Sequence, residues 1–315
     1  MTSINTNTSA MTALQNLSAT QKNLTQTQSQ ISSGLAVANA SDNAAYWSIS
    51  TSMKSDVSAL GAVTSALNLG ASVLSTATSA MNSVETILKQ MKADIVTAQT
   101  SGTNASQVQS DITAQQQSLI SIMGSASFNG VNLLDGSTST TNIVNSFSRS
   151  LTGTTTGVLT VDTANIALGG AGSAAGLLGG SLGLTNSSGT DNSTATSGAY
   201  AADSLLGFQL TTASSTGTAG STDLNLLAKA IDDAIASVTQ GAATLGQYTT
   251  TVNNQLAFTS SISDAITSGV GSLVDADMNV ASTRLQALQT QQQLGIQALS
   301  MANQNSQLIL KLFNG

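Results

Sequence analysis

Cysteine, histidine and proline are all missing from this 315-residue chain, and only 7% of its residues carry charge. Ordinary proteins have roughly a quarter charged. Without thiolate or imidazole there is no Cys- or His-based metal site, no cysteine nucleophile and no disulfide frame. Absence of Cys fits a protein outside the cell, although a cytosolic chain can lack it as well. Basic residues are scarce too: Lys22, Lys54, Lys89, Lys92, Arg149, Lys229, Arg284 and Lys311 lie scattered along a chain of net charge −7. Nucleic acid is excluded as a partner, because displacing phosphate counterions needs clustered cations. No run of about 18 apolar residues occurs, so membrane insertion is not expected. The first 30 residues hold one charge, Lys22, and their apolar residues are spaced out, so no secretory signal peptide is expected.

What the chain has is hydrophobic content of 40%, enough for a sizeable core, laid out at helical spacing. Leu14, Leu17, Gln21, Leu24, Gln28, Ile31 and Leu35 alternate by three and four, a heptad seam diluted by Gln. A second run extends from Val57 to Ile95, "TSGTN" at 100 to 104 breaks it, and a third runs back from Val108 to Ile122. Helix resumes near Ser221 and runs to Ile266. After a small-residue break, "SGVGS" at 268 to 272, a final run carries Val274, Met278, Ala281, Leu285, Leu288, Gln292, Gly295, Leu299, Ala302, Ser306, Ile309 and Phe313.

Asn129 and Gly130 in "ASFNGVNLLDG" predict a β-hairpin turn, since the primed turn needs positive φ. Residues 137–220 are rich in Ser, Thr, Gly and Ala, with β-like pieces "GVLTV" and "GFQLTT", and read as a small, mostly β or irregular inserted module. The expected fold is mainly α: an elongated antiparallel helical rod formed by both chain ends, carrying a hairpin and an outer insert. Three divisions follow: 1–45 with 274–315 as a terminal coiled coil, 46–136 with 221–273 as a helical rod, and 137–220 as a variable surface insert. An isolated terminal pair with so few large apolar residues should barely hold. Self-association is one answer; an intramolecular bundle is the other.

Other motifs carry little. "GAGSAA" at 170 to 175 formally fits a dinucleotide fingerprint but lies in a Gly- and Ser-rich tract without the strand and helix it needs. Ser41 or Asp42 reads as the cap of the "AAYWSI" helix, and the acidic pairs Asp232-Asp233 and Asp275 with Asp277 as surface or capping groups. No cofactor or metal is expected. N-x-S/T triplets are near chance in so Ser/Thr-rich a chain.

"ISSGLAVANASDNAAYWSIS" at 31 to 50, "SASFNGVNLL" at 125 to 134 and "QALSMANQNSQLILKLF" at 297 to 313 closely resemble segments of bacterial flagellin, in the proper order. "DNAAYWSI" looks like the alphaproteobacterial version. The resemblance covers roughly residues 1–136 and 221–315. It implies a structural, non-enzymatic subunit that polymerises into a flagellar filament for motility, outside the cell. Its implied partners are copies of itself, an export chaperone gripping the C-terminal helix, filament cap and hook-associated proteins, and the type III export apparatus. The subunit-packing seam would then comprise Leu14, Leu17, Leu24, Ile31, Leu35, Leu285, Leu288, Gly295, Leu299, Ala302, Ser306, Ile309 and Phe313.

Two alternatives share the scaffold: a hook-filament junction protein, and a surface glycan-binding protein using the insert. By family analogy, residues 137–220 are also candidates for O-linked sugars. In flagellins sensed by an innate immune receptor, the first rod helix carries an Arg-rich patch. The matching positions here are Lys89, Gln90, Lys92 and Ala93, which implies weak or absent receptor activation, testable in a reporter-cell assay; the alternative is that they form only a solvated face between rods. Missing proline would spare subunits folding at a growing tip the slow cis/trans step; proline placed in exposed loops without slowing growth would remove that idea.

Overall fold

The computed structural model describes residues 7–100, 104–150, 153–169, 177–178, 205–206 and 219–313. Helices α1 (Thr8–Ser33), α2 (Ala44–Ala98) and α3 (Ala105–Ser125) lead into two antiparallel hairpins. The first pairs β1 (Ser127–Phe128) with β2 (Val131–Asn132), the second β3 (Thr140–Ser150) with β4 (Gly153–Asp162), with a register shift between Val144 and Ser146. Two long helices complete the described chain: α4 (Ala219–Val274) and α5 (Met278–Phe313). The mainly helical fold with a hairpin agrees with the sequence. "GVLTV" lies within β4, whereas "GFQLTT" and "GAGSAA" fall outside the described residues.

Two compact units emerge, Met1–Ser58 with Ile262–Gly315, and Ala59–Ser261. The second has a closed core. Leu67, Leu74, Met81, Leu88, Met91 and Ile95 of α2 are fully buried, as are Ile112 and Leu119 of α3 and Ile231, Val238, Leu245 and Val252 of α4. All belong to one apolar cluster, to which no residue of α1 or α5 contributes. Part of α2 is long and apolar enough to cross a membrane by length and composition. Its Leu67, Leu74 and Met81 instead fill this core.

Long helices so poor in charge must satisfy their polar side chains locally. Thr64, Ser65, Ser72, Thr76 and Thr78 each donate to the carbonyl four residues back, as do Thr249, Thr250 and Thr251 in α4. Such back-bonding closes the hydroxyl's hydrogen bond without a partner helix.

Between β1 and β2, Asn129 (φ 51°) and Gly130 (φ 80°) both adopt left-handed conformations, as a type I′ turn requires. Buried Asn132 then fixes the hairpin to α3: its Nδ2 donates to the Met123 carbonyl (2.7 Å) and its Oδ1 accepts from Leu134 N (2.8 Å). Further on, β4 leads to a loop that crosses α4 at Gly241. A Cβ there would sit 2.9 Å from Met81 Cε and 3.3 Å from the Asn165 carbonyl oxygen, so glycine is what permits the approach.

Three local expectations need correction. The seam reading carries Leu35 on α1, but Gly34 at φ 73° ends the helix, and Leu35 instead forms a β-bridge with Asp275. "SGVGS" does not break helix α4, which continues to Val274. The stop comes from the same bridge, where the Val274 carbonyl accepts from Ala36 N (2.7 Å). Third, the cap of α2 is neither Ser41 nor Asp42. Asn43 Oδ1 accepts from Ala45 N and Tyr46 N, both at 3.2 Å, while Asp42 Oδ2 accepts from Ala38 N and Asn39 N and so closes the preceding loop.

Candidate assembly interface

In the unit built from both chain ends, α1 packs antiparallel on α5. Asn7 caps α1 through Oδ1, and its Nδ2 reaches the Ala302 carbonyl at 3.0 Å. Gln292 Nε2 donates to Gln21 Oε1 at 2.6 Å, so the glutamines that dilute the heptad pattern bond to one another across the pair. Gly295 lies against Leu17, whose Cδ1 would be 3.3 Å from an added Cβ. Asp277 caps α5, accepting from Asn279 N (2.9 Å) and Val280 N (3.2 Å).

The pair hides little of its apolar surface. Leu24, Ala281 and Leu288 are buried, together with Thr27. Leu17, Ile31, Leu35, Leu285, Gly295, Leu299 and Ala302 are half-buried, and Leu14 is exposed. Ser306, Ile309 and Phe313 lie on α5, but their side chains are outside the described residues. Burying a leucine contributes about 1.5–3 kcal/mol. Leu24 and Leu288 together do little against the ordering of helices of 26 and 36 residues.

Around these positions the same unit exposes ten large apolar side chains: Met11, Leu14, Tyr46, Trp47, Ile49, Met278, Val280, Leu294, Ile296 and Met301, from 38% for Trp47 to 64% for Leu294. Most lie off the three-four seam, which is why a search for heptads passed over them. For α5 the signal that could have found them is the presence of apolar residues off the seam, such as Leu294 and Ile296 flanking Gly295. A groove of about 730 Å³ opens beside them, walled by α1, the 35–42 loop and Gln292 and Ile296 of α5. Leu14, Leu17 and Leu35 supply its apolar lining; Lys22, Gln26, Asn39 and Asp42 supply polar edges.

Charge plays a small part in this unit. Helix α1 contains one charged residue, Lys22, and α5 two, Arg284 and Lys311. In the other unit, Lys92 pairs with Asp232 (2.5 Å) and Lys89 with Glu85 (2.5 Å), while Gln90 and Ala93, each next to one of these lysines on α2, are exposed. Lys229 has its pKa raised by the hydrogen bond and charge of Asp233, with Asp232 adding to the effect. Among the described residues no group of three or more acidic side chains gathers as a metal site would need.

Residues 4–139 match the model of the bacterial flagellin N-terminal helical region, and residues 228–313 that of the C-terminal helical region. The chain is 41% identical to flagellin C of Rhizobium meliloti strain 1021, over 99% of both chains. It is likewise 41% identical to a flagellin of Brucella melitensis over the whole of both. Flagellin FljM of Caulobacter vibrioides is 32% identical over 99% of each. With matches at both ends and relatives of this identity spanning the full chain, the protein belongs to the bacterial flagellin family.

Proposed function

We propose that this chain is the structural subunit of a flagellar filament, polymerising outside the cell through its terminal helix pair. The observation that carries the reading is the set of ten exposed large apolar side chains on the unit formed by the two chain ends. Monomeric proteins rarely expose a contiguous apolar patch beyond a few hundred Å². The larger unit Ala59–Ser261 closes a core of its own and, among its described residues, exposes seven large apolar side chains, fewer than the smaller terminal unit does. We therefore assign the terminal pair to the polymer's packed interior and residues 137–220 to its outward surface, with 46–136 and 221–273 between them. A head-to-tail contact that does not close on itself generates an open helix, the form a filament takes.

The subunit is assigned no catalytic role, in keeping with a family of structural proteins and a sequence without His or Cys. Its partners during export and growth are a chaperone at the C-terminal helix, the type III apparatus, and the cap and hook-associated proteins. Family membership supports them, as does the apolar composition of the sequence at Leu308, Ile309, Leu310, Leu312 and Phe313. Purified chain seeded with its own sheared filaments should elongate them, read by sedimentation and electron microscopy. Material that stays monomeric at high concentration despite seeds would overturn the reading.

A further inference from the structure

Tyr46 and Trp47 stand on the first turn of α2, 46% and 38% exposed, with Ile49 beside them at 46%. The turn is held firmly. Trp47 N donates to the Asn43 carbonyl (2.9 Å), the Trp47 carbonyl accepts from Ser50 Oγ (2.9 Å), and Tyr46 N donates to Asn43 Oδ1. A fixed turn presents its rings with little ordering left to do, and rigid aromatics are the side chains that most often anchor protein contacts. Neither ring lines the groove of its own copy.

The groove walled by α1 and the 35–42 loop has a volume of about 730 Å³. That falls within the roughly 300–1,000 Å³ of clefts that bury drug-sized ligands, room enough for two aromatic side chains. Leu14, Leu17, Leu35 and Ile296 give it apolar lining among polar side chains, of which Gln26 and Asn39 carry amide oxygens able to accept an indole N–H or a phenol O–H. We infer that the groove of one copy receives the Tyr46-Trp47 knob of the next.

A second copy is the occupant that the surface areas favour. The ten exposed apolar side chains of this unit present on the order of 1,000 Å², against about 800 Å² per partner in a standard stable interface. The same unit supplies knob and groove as different patches, so each copy offers one of each, and a head-to-tail contact between them propagates where its rotation does not close. This inference rests on the filament reading and adds the particular contact to it.

Trp47 is the only tryptophan in the chain, so its emission reports the knob alone. In the full-length protein, seeded polymerisation should shift that emission to the blue and lower its quenching by acrylamide at least threefold. Trp47→Ala and Leu14→Gln should each raise the critical concentration about tenfold or more with unchanged helical circular dichroism. The double variant should be no worse than the poorer single, since both remove one contact. Normal polymerisation with unmoved emission, or a Trp47→Ala chain with wild-type critical concentration, would overturn the knob-in-groove contact while leaving the filament reading intact. A blue shift already complete in dilute monomer would mean the chain covers the knob itself, and would also overturn it. A wild-type chain that does not polymerise at all would remove both.

Discussion

At the scale of single residues, glycine shows how much depends on what a missing Cβ would meet. Gly241 and Gly246 lie on the same helix α4, five residues apart, and in sequence they look alike. At Gly241 the new carbon would press on a backbone carbonyl, which cannot swing aside as Met81 Cε can. At Gly246 nothing lies within 4 Å. Overpacking costs about 1–3 kcal/mol, whereas Gly to Ala in an unobstructed helix gains about 0.8–1 kcal/mol. Gly241→Ala should therefore lower stability by up to about 2 kcal/mol net, and Gly246→Ala raise it by just under 1 kcal/mol. Urea unfolding of the two variants checks the sign. Equal and favourable shifts would mean that the loop carrying Asn165 does not lie against α4 as described.

At the scale of elements, most of the helices were legible because a heptad spacing of apolar residues serves one purpose only, burial of a stripe. Leu224, Leu227, Ile231, Val238, Leu245 and Val252 are all buried in α4 as their spacing foretold. The Asn129-Gly130 turn was legible for a different reason: few other residues tolerate positive φ at both positions. Helix ends were not. "SGVGS" looks like a break, yet a helix ends where its last carbonyls find other donors, and here those are Ala36 N and Val37 N, over 230 residues away in sequence. The start of α2 was missed by one residue, since Ser41, Asp42 and Asn43 are all good caps and only geometry chooses among them. Asn43→Ala should thus lower stability by about 1 kcal/mol and loosen the turn that carries Trp47. Hydrogen exchange at Ala45 and Tyr46 amides should speed up, while Asp42→Ala should speed exchange at Ala38 and Asn39 instead. If Asp42→Ala deprotects the first turn of α2 and Asn43→Ala does not, the assignment of the cap is wrong.

At the scale of the whole molecule, the distribution of charge sets what solution conditions can do. The terminal unit, Met1–Ser58 with Ile262–Gly315, holds five acidic and four basic residues. The remaining ten acidic and four basic residues belong to Ala59–Ser261, so nearly all of the net −7 sits there. Copies that meet through the terminal units bring together nearly neutral surfaces that carry ten exposed large apolar side chains. Screening then has little to screen: raising sodium chloride from about 0.05 to 0.5 M shortens the Debye length from roughly 14 to 4 Å, yet should change the critical concentration less than about threefold. Ammonium sulfate acts on a different term. Its anion is excluded from protein surface and strengthens apolar burial, so at equal ionic strength it should lower the critical concentration several-fold more than chloride does. The heat of polymerisation should also become more exothermic on warming, because buried apolar area carries a negative heat-capacity change. Were contacts made instead through the acidic surface of Ala59–Ser261, chloride alone would promote growth strongly and sulfate would add nothing beyond its ionic strength. Sedimentation of polymer across the two salts separates the cases without altering a residue.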